Sequence, residues 1–226
     1  GFNGIKDNVC YIHSTYLDNA ENLSQSFLER IETIKQTNFK KYTHKILGGW
    51  LDKAEGVVFD NWSIGEFNPN NLQVSCGLDF GFSIDPDSLT SVAIDKKHKK
   101  IYLKEEVYRN GLKSHELAAI ILDKVNDTLI IADSSEPRLI ADLKHLGGNI
   151  KPVKKGTIES GITRMQDYHL VVTPESTNIA KELNNYAYQD KGSKLYIDNW
   201  NHSIDGIRYN VIYHLDNPNA GKYYVQ

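Results

Sequence analysis

Cysteine is scarce: Cys10 and Cys76 are the only two in 226 residues. They lie far apart, and Cys76 falls in a strand-like segment. The expectation is reduced thiols in an intracellular protein, with no disulfide framework. No apolar stretch approaches the roughly 20 residues of a membrane span. The polar opening Gly1-Phe2-Asn3-Gly4 lacks the basic-then-apolar start of a secretory signal. A first residue of Gly rather than Met suggests that a longer parent was cut here. A GxxxxGK[ST] loop is missing, which excludes ATP binding by that route. Charge is nearly balanced, with 26 Lys+Arg against 29 Asp+Glu and a net charge of -3, so the sum does not advertise a nucleic-acid binder. At 40% hydrophobic and 24% charged residues the composition is that of an ordinary globular chain, long enough for one large domain or a domain with an appendage.

The chain does contain three aspartates at the ends of regular elements. In Leu72 to Asp79, Val74, Cys76 and Leu78 alternate with Ser75, Gly77 and Asp79, which predicts a strand with an acid at its exit. Thr128 to Asp133 is an unbroken apolar run closed by an acid, the pattern of a strand buried on both faces. After Asn201, apolar Ile204, Ile207, Val211 and Leu215 recur at helical spacing, and Asp205 falls in the first turn of that helix. Capping is the plain alternative for each, because Asp accepts hydrogen bonds from nearby backbone N–H groups. It fits Asp133 least, since Ser134, Ser135 and Pro137 already supply the next helix start. If the first two strands are parallel neighbours, acids at their matching ends lie about 5 Å apart. Three carboxylates without a Cys or His cluster select a hard cation, Mg²⁺ or Mn²⁺, over zinc. The crevice beyond the carboxyl ends of parallel strands is also where open α/β sheets hold ligands.

Residues 1–66 differ in character from the rest. A helical stripe runs from Glu21 to Gln36, a second short helix is expected over Phe39 to Leu47, and Gly56 to Phe59 looks like a strand. From residue 67 to 226 the expected order is three antiparallel strands (Leu72–Asp79, Leu89–Asp95, Lys100–Tyr108), then a helix from Ser114, as cap, to Val125. Next come the Thr128–Asp133 strand, a Glu136–Leu146 helix, a short strand near Asn149–Val153, a Thr157–Tyr168 helix, the Leu170–Val172 strand and a Ser176–Asn185 helix. A hairpin around Asp190-Lys191-Gly192-Ser193 leads to the last helix. This is the order of a ribonuclease-H-like α/β fold: a mixed central sheet flanked by helices, with a small helical N-terminal extension. In it the first and fourth strands are neighbours. Lys96 to Lys100 reads as a solvated hairpin tip. Lys154 and Lys155, ahead of a helix start, are placed to meet phosphate, and Lys191 sits at the tip of a hairpin that, delivered beside the acids, reads equally as a DNA contact or as plain scaffold.

At these residues the chain resembles the nuclease domain of phage terminase large subunits. The resemblance is carried in order by Gly77-Leu78-Asp79-Phe80-Gly81-Phe82 with Pro86, Ala132-Asp133-Ser134 with Glu136-Pro137, Gly161-Ile162, and His202-Ser203-Ile204-Asp205 with Arg208-Tyr209. His13-Ser14-Thr15-Tyr16-Leu17-Asp18-Asn19 and Gly48-Gly49-Trp50 look like the end of the preceding ATPase domain. The resemblance implies a metal-dependent endonuclease that cuts concatemeric viral double-stranded DNA, with Asp79, Asp133 and Asp205 holding two Mg²⁺ or Mn²⁺ ions and Asp79 bridging them. His202 matches a family histidine placed to orient Asp205, touch phosphate or move a proton; capping the helix is the alternative. Lys154, Lys155, Lys191 and Arg208 are candidate DNA contacts. Implied partners are the ATPase domain of the parent chain, the portal protein and the small terminase subunit, in the cytoplasm of an infected host. Gly206 departs from the family in standing where a small residue, often Ala, is usual, and the ATPase motor is missing. Two rivals use the same residues. A resolvase-type nuclease would employ the same acids on branched DNA. An actin-like ATP-binding domain would share Asp79-Phe80-Gly81 but needs a second, glycine-containing phosphate loop where Ala132-Asp133-Ser134-Ser135 stands. A non-enzymatic module docking on the portal is the remaining reading.

Overall fold

The computed structural model describes residues 4–6, 9–12, 14–37, 42, 46–47, 56–81, 85–154, 156–190 and 195–216. The second expected helix at Phe39–Leu47, Gly48-Gly49-Trp50 and the hairpin tip with Lys191 lie largely or wholly outside them. The chain forms two compact units, Gly1–Lys53 and Ala54–Gln226. In the smaller one, β1 (Gly4–Lys6) and β2 (Val9–Tyr11) pair antiparallel. A 3-10 segment, Tyr16–Asn22, is capped by Thr15, whose Oγ1 accepts from Leu17 N while its own N–H donates to Asp18. Helix α1 spans Gln25–Thr37.

The larger unit is built on a seven-stranded mixed sheet of order β3-β9-β6-β5-β4-β7-β8. Its strands are β3 (Trp62–Ile64), β4 (Val74–Asp79), β5 (Pro86–Asp95), β6 (Lys100–Asn110), β7 (Ile130–Asp133), β8 (Ile150–Val153) and β9 (His169–Val172). The meander β4-β5-β6 is antiparallel, and β7 pairs parallel with β4, the adjacency expected of a ribonuclease-H-like sheet. Helices α2 (Ser114–Val125) and α3 (Pro137–His145) cover one face, while α4 (Ile158–Gln166), α5 (Thr177–Asn185) and α6 (His202–Asp216) cover the other. The strand period sorts side chains between these layers. Cys76, Leu78, Ile130 and Ala132 pack with Leu117, Ile121, Ile140 and Leu143. On the opposite face Ile131 meets Tyr209 and Ile212, and Ile204, Ile207 and Val211 join Ile101, Leu103, Leu170 and Val172. The acids that follow Leu78 and Ala132 therefore face α6.

Three local expectations differ from what forms. Gly56–Phe59 is not a strand: Val57 makes one bridge to Ala187, and Val58 and Phe59 plug the core. The strand in this region is β3, on the head side of the expected boundary at 66, paired parallel with β9 at the edge of the larger unit's sheet. Ser114 does not cap α2. Lys113 is the cap residue, and its N–H donates to Glu116 Oε2 at 2.8 Å.

A bulge changes which side chains face the site. Leu89 pairs with Val107 but Thr90 pairs with Glu105, so Glu106 is an extra residue in β6. Side-chain parity flips there. Val107 joins the α2/α3 core, Glu105 faces α5, and Tyr108 is turned to the α5/α6 face.

Helix α6 is tied to the sheet by a polar cluster as well as by its apolar stripe. Asn210 Nδ2 donates to Ser75 Oγ at 2.9 Å, and His214 Nε2 lies 2.8 Å from the same oxygen. Lys96 Nζ donates to the carbonyl of His214 at 3.0 Å. Burial, with the Lys96 charge adding, pushes His214 down to about 4. The unfolded chain takes up this proton near pH 6.5 while the folded one refuses it until about 4, so stability is full above pH 6.5 and is lost as pH falls toward 4. With partial exposure of the ring discounted, the loss is about 2 kcal/mol. Between pH 7.5 and pH 5, urea unfolding is expected to show the wild-type protein losing about 2 kcal/mol relative to His214→Gln, since the opposing gain from protonating the largely buried Asp79 and Glu182 is common to both.

Candidate functional site

Asp79 and Asp133 are the last residues of β4 and β7, and the register Leu78↔Ala132 leaves them side by side at the carboxyl ends of neighbouring parallel strands. Helix α6 brings the other two residues by crossing β4 at a point where both chains lack a side chain. A Cβ on Gly77 would stand 2.0 Å from Gly206 O, and one on Gly206 3.2 Å from Gly77 C and O. His202, on the first turn of α6, thereby reaches Asp79, and Asp205 in the same turn comes near enough for its charge to act on that carboxyl. His202 Nδ1 is 3.3 Å from Asp79 Oδ2, its Nε2 is 3.8 Å from Asp85 Oδ1, and Tyr209 donates to Asp79 Oδ1 at 3.4 Å.

Each acid is held differently. Burial pushes the Asp79 carboxyl up to about 6; the charge of Asp205 adds to this, and His202 and Arg208 oppose it. His202 is raised above its ordinary value first by its hydrogen bond to Asp79, with the charges of Asp79, Glu182 and Asp85 helping and burial opposing. Tyr209 is pushed up by burial, then by the charges of Asp205, Asp79 and Asp133, so this phenol senses all three acids. Asp133 is nearly buried and accepts from Ser135 N at 3.2 Å and from the Ser135 hydroxyl. Asp205 Oδ1 accepts from Arg208 Nε at 3.0 Å and Nη2 at 2.9 Å.

Donor type fits a hard divalent cation: three carboxylates, two at adjacent strand ends, with Asp79 short of compensating positive charge. The arrangement is not itself a cage. Among the described residues no three His, Cys, Asp or Glu side chains are grouped so as to hold a metal ion, and the acids are turned to His202, Tyr209, Ser135 and Arg208.

The basic candidates separate. Lys154 is exposed one residue beyond β8, at the same sheet end as Asp133. Lys155 and Lys191 lie outside the described residues. Arg208, expected to contact DNA, is 1% exposed and instead braces Asp205. Its Nη1 is buried without a hydrogen-bond partner, and the side chain runs where Gly161 leaves room: a Cβ there would stand 2.4 Å from Arg208 Cγ and 2.6 Å from Cδ. Gly161→Ala is thus expected to cost about 2 kcal/mol by overpacking and to push Arg208 off Asp205. Gly156→Ala, with nothing within 4 Å, is the control in the same denaturant titration.

Sequence reasoning passed over Glu182. It is 1% exposed, accepts from Tyr108 at 3.0 Å and Ile204 N at 3.1 Å, and is pushed up to about 7 by burial against those bonds. Its signal was its place in the stripe Ile179, Glu182, Leu183, Tyr186, where helical spacing calls for apolar residues.

A mixed sheet with β4 and β7 adjacent, an acid ending each, and a closing helix that returns a third acid with a histidine defines a ribonuclease-H-like domain of the nuclease kind. The family model of the terminase RNAseH-like domain matches residues 79–212, and the chain belongs to that family. The terminase large subunit of Bacillus phage SPP1 is 37% identical over 215 residues, 87% of this chain and 50% of the relative. The chain spans about half the length of the curated relatives it matches. The SPP1 large terminase nuclease domain, solved with bound Mn, superposes with a TM-score of 0.59 at 31% identity, covering 68% of this chain and 96% of that one. The P22 large terminase nuclease domain gives 0.60 at 16% identity, over 70% of this chain and 91% of that one, a likeness of fold. No described helix is long and apolar enough to cross a membrane.

Proposed function

We propose that this chain is the cutting module of a viral DNA-packaging motor: a divalent-metal-dependent endodeoxyribonuclease acting on concatemeric double-stranded DNA. The observation that carries the reading is the side-by-side exit of Asp79 and Asp133 from β4 and β7, met by His202 and Asp205 on α6. The bound Mn of the SPP1 relative supports the choice of cation.

Asp79, Asp133 and Asp205 would hold Mn²⁺ or Mg²⁺, two ions in the full site, giving up their bonds to Ser135 and Arg208 as they do so. The bound cations would supply an activated water and charge stabilisation at the leaving oxygen. His202, fixed by Asp79, is placed to orient that carboxylate and to hold a proton near the reacting phosphate. Arg208 keeps Asp205 aimed from behind. Lys154 would meet backbone phosphate at the rim, and a cleft of about 390 Å³ between Ile158, Tyr186, Tyr196 and Asn201 leads to Asp205. An ATPase domain in the parent chain, the portal protein and a small subunit are the partners in this reading, and the host cytoplasm is the setting.

The test is supercoiled plasmid incubated with Mn²⁺ or Mg²⁺. Open-circular and linear products that EDTA abolishes are expected. A folded protein that leaves plasmid intact, or cuts only branched junctions, overturns the reading, and the second outcome favours a resolvase.

A further inference from the structure

We infer that Glu182 is a positioning residue of this site: from a different helix it pins the first turn of α6, and with it His202 and Asp205, against Asp79. The inference rests on the nuclease reading above and adds a residue that touches none of the reacting groups.

A helix leaves the N–H groups of its first turn without partners inside the helix. In α6 Glu182 meets one of these donors from outside: its Oε2 accepts from Ile204 N at 3.1 Å, while Asp205 N donates to Asn201 O at 2.7 Å. Oε1 accepts from the Tyr108 hydroxyl at 3.0 Å, and the Tyr108 ring meets His202 edge-on, centroids 6.5 Å apart.

Glu182 is itself fixed from the sheet. Glu105 accepts from Asn178 N at 3.0 Å and Ile179 N at 3.2 Å, closing the start of α5, and Ser176 Oγ accepts from Glu105 N at 2.8 Å. Both Glu105 and Tyr108 come from β6, and only the bulge at Glu106 lets them face the same layer. A continuous path thus runs from β6 through α5 to the turn bearing His202 and Asp205.

The rest of α6 does not depend on this path. Ile207 and Val211 lie in the core, Gly206 lies on Gly77, and Asn210 and His214 hold Ser75. Within the first turn the other polar ties are Ser203 Oγ to Ser88 Oγ, 2.9 Å, His202 to Asp79, 3.3 Å, and Asp205 to Arg208, 2.9 Å, all made by side chains and none holding the turn's N–H groups. Loss of the carboxylate therefore loosens His202 to Asp205 and leaves the helix body seated.

Hydrogen exchange and plasmid cutting in Mn²⁺ are measured together on the wild-type chain, E182A and E182Q. In E182A the amides of Ile204 and Asp205 are expected to exchange about tenfold faster or more, with residues 209–215 unchanged. Cutting is expected to lose about tenfold or more in kcat at constant KM for DNA. E182Q keeps an acceptor for Ile204 N and is expected to restore both to within about threefold. If E182A does not fold, E182D replaces it, since it keeps the charge but withdraws the carboxylate by one methylene. Unchanged exchange in the first turn, faster exchange with undiminished kcat, or E182Q as impaired as E182A would each overturn the inference. A wild-type chain that cuts no DNA would overturn the nuclease reading instead, and the exchange data would still decide whether Glu182 holds the turn.

Discussion

Asp79→Asn is expected to lower metal-dependent cutting by about three powers of ten or more, close to 4 kcal/mol of lost transition-state stabilisation, while making the metal-free protein more stable. Both halves follow from one carboxylate. Asp79 is largely but not fully buried, its side chain 17% exposed, with Asp205 close enough to raise it further, and its carboxyl is pushed from its ordinary 3.8 up to about 6. Keeping it ionised at pH 8 therefore costs folding energy. That cost is absent below pH 3.8, where the carboxyl is protonated in both states, and it grows as pH rises through about 6. Asn has no charge to desolvate and accepts from His202 or Tyr209 with its remaining oxygen. The variant is thus expected to gain about 2 kcal/mol at pH 8 in EDTA and nothing at pH 3.5. Mn²⁺ should reverse the ranking by stabilising only the protein that binds it. Plasmid cutting and urea titrations with and without Mn²⁺ measure both effects. Wild-type cutting by Asp79→Asn would remove the metal assignment, and a destabilised inactive variant would mean that the acid serves the fold.

That arrangement, with a site costly to the fold that holds it, was partly legible in the residues. Asp79 and Asp133 announce themselves because a strand's period is short and an acid at its end breaks it. Their adjacency could be argued from element order, and β4 and β7 pair as that order requires. The charged residues that aim the site were harder to see. Arg208 sits at a core position in Ile204, Ile207, Arg208, Val211, as Glu182 does in its own stripe. In both cases the helical period marks a buried side chain, whereas the charge argues for a surface one. Burial wins because each has partners: Asp205 for Arg208, and Ile204 and Tyr108 for Glu182. Read as position rather than as type, these charges would have been found. Gly161 was noticed only as part of a motif; the room it leaves for Arg208 explains it.

Elements fixed by distant partners were not legible. Trp62–Ile64 becomes a strand because it pairs with β9, more than a hundred positions on in sequence, and no local period marks three residues. Val57-Val58-Phe59 has the stronger β propensity and yet forms a core plug, since propensity ranks below packing. The bulge at Glu106 leaves no mark in composition, although it decides that Tyr108 faces Glu182.

Gly77→Ala is expected to be the most damaging small substitution in the larger unit, with a loss on the order of 5 kcal/mol and little soluble folded protein. A Cβ at this position would lie 2.0 Å from Gly206 O and 2.4 Å from Gly206 C, both backbone atoms of α6. Backbone cannot rotate away as a side chain can, so the whole helix would have to lift. Lifting it pulls Ile204, Ile207 and Val211 out of their core and parts Asn210 and His214 from Ser75. Gly206→Ala tests the same crossing from the other side with the opposite outcome. Its Cβ would meet Gly77 at 3.2 Å and Asp79 N at 3.4 Å, backbone contacts that ask for a shift of only a few tenths of an ångström rather than the lifting of a helix. Ala also gains about 1 kcal/mol of helix propensity over Gly. Gly206→Ala should therefore fold with near wild-type stability, and its effect should fall on the spacing of Asp205 from Asp79. Thermal unfolding of the two variants side by side decides the matter. Equal stability would mean that α6 does not approach β4 this closely, and the placement of His202 and Asp205 beside Asp79 would fall with it.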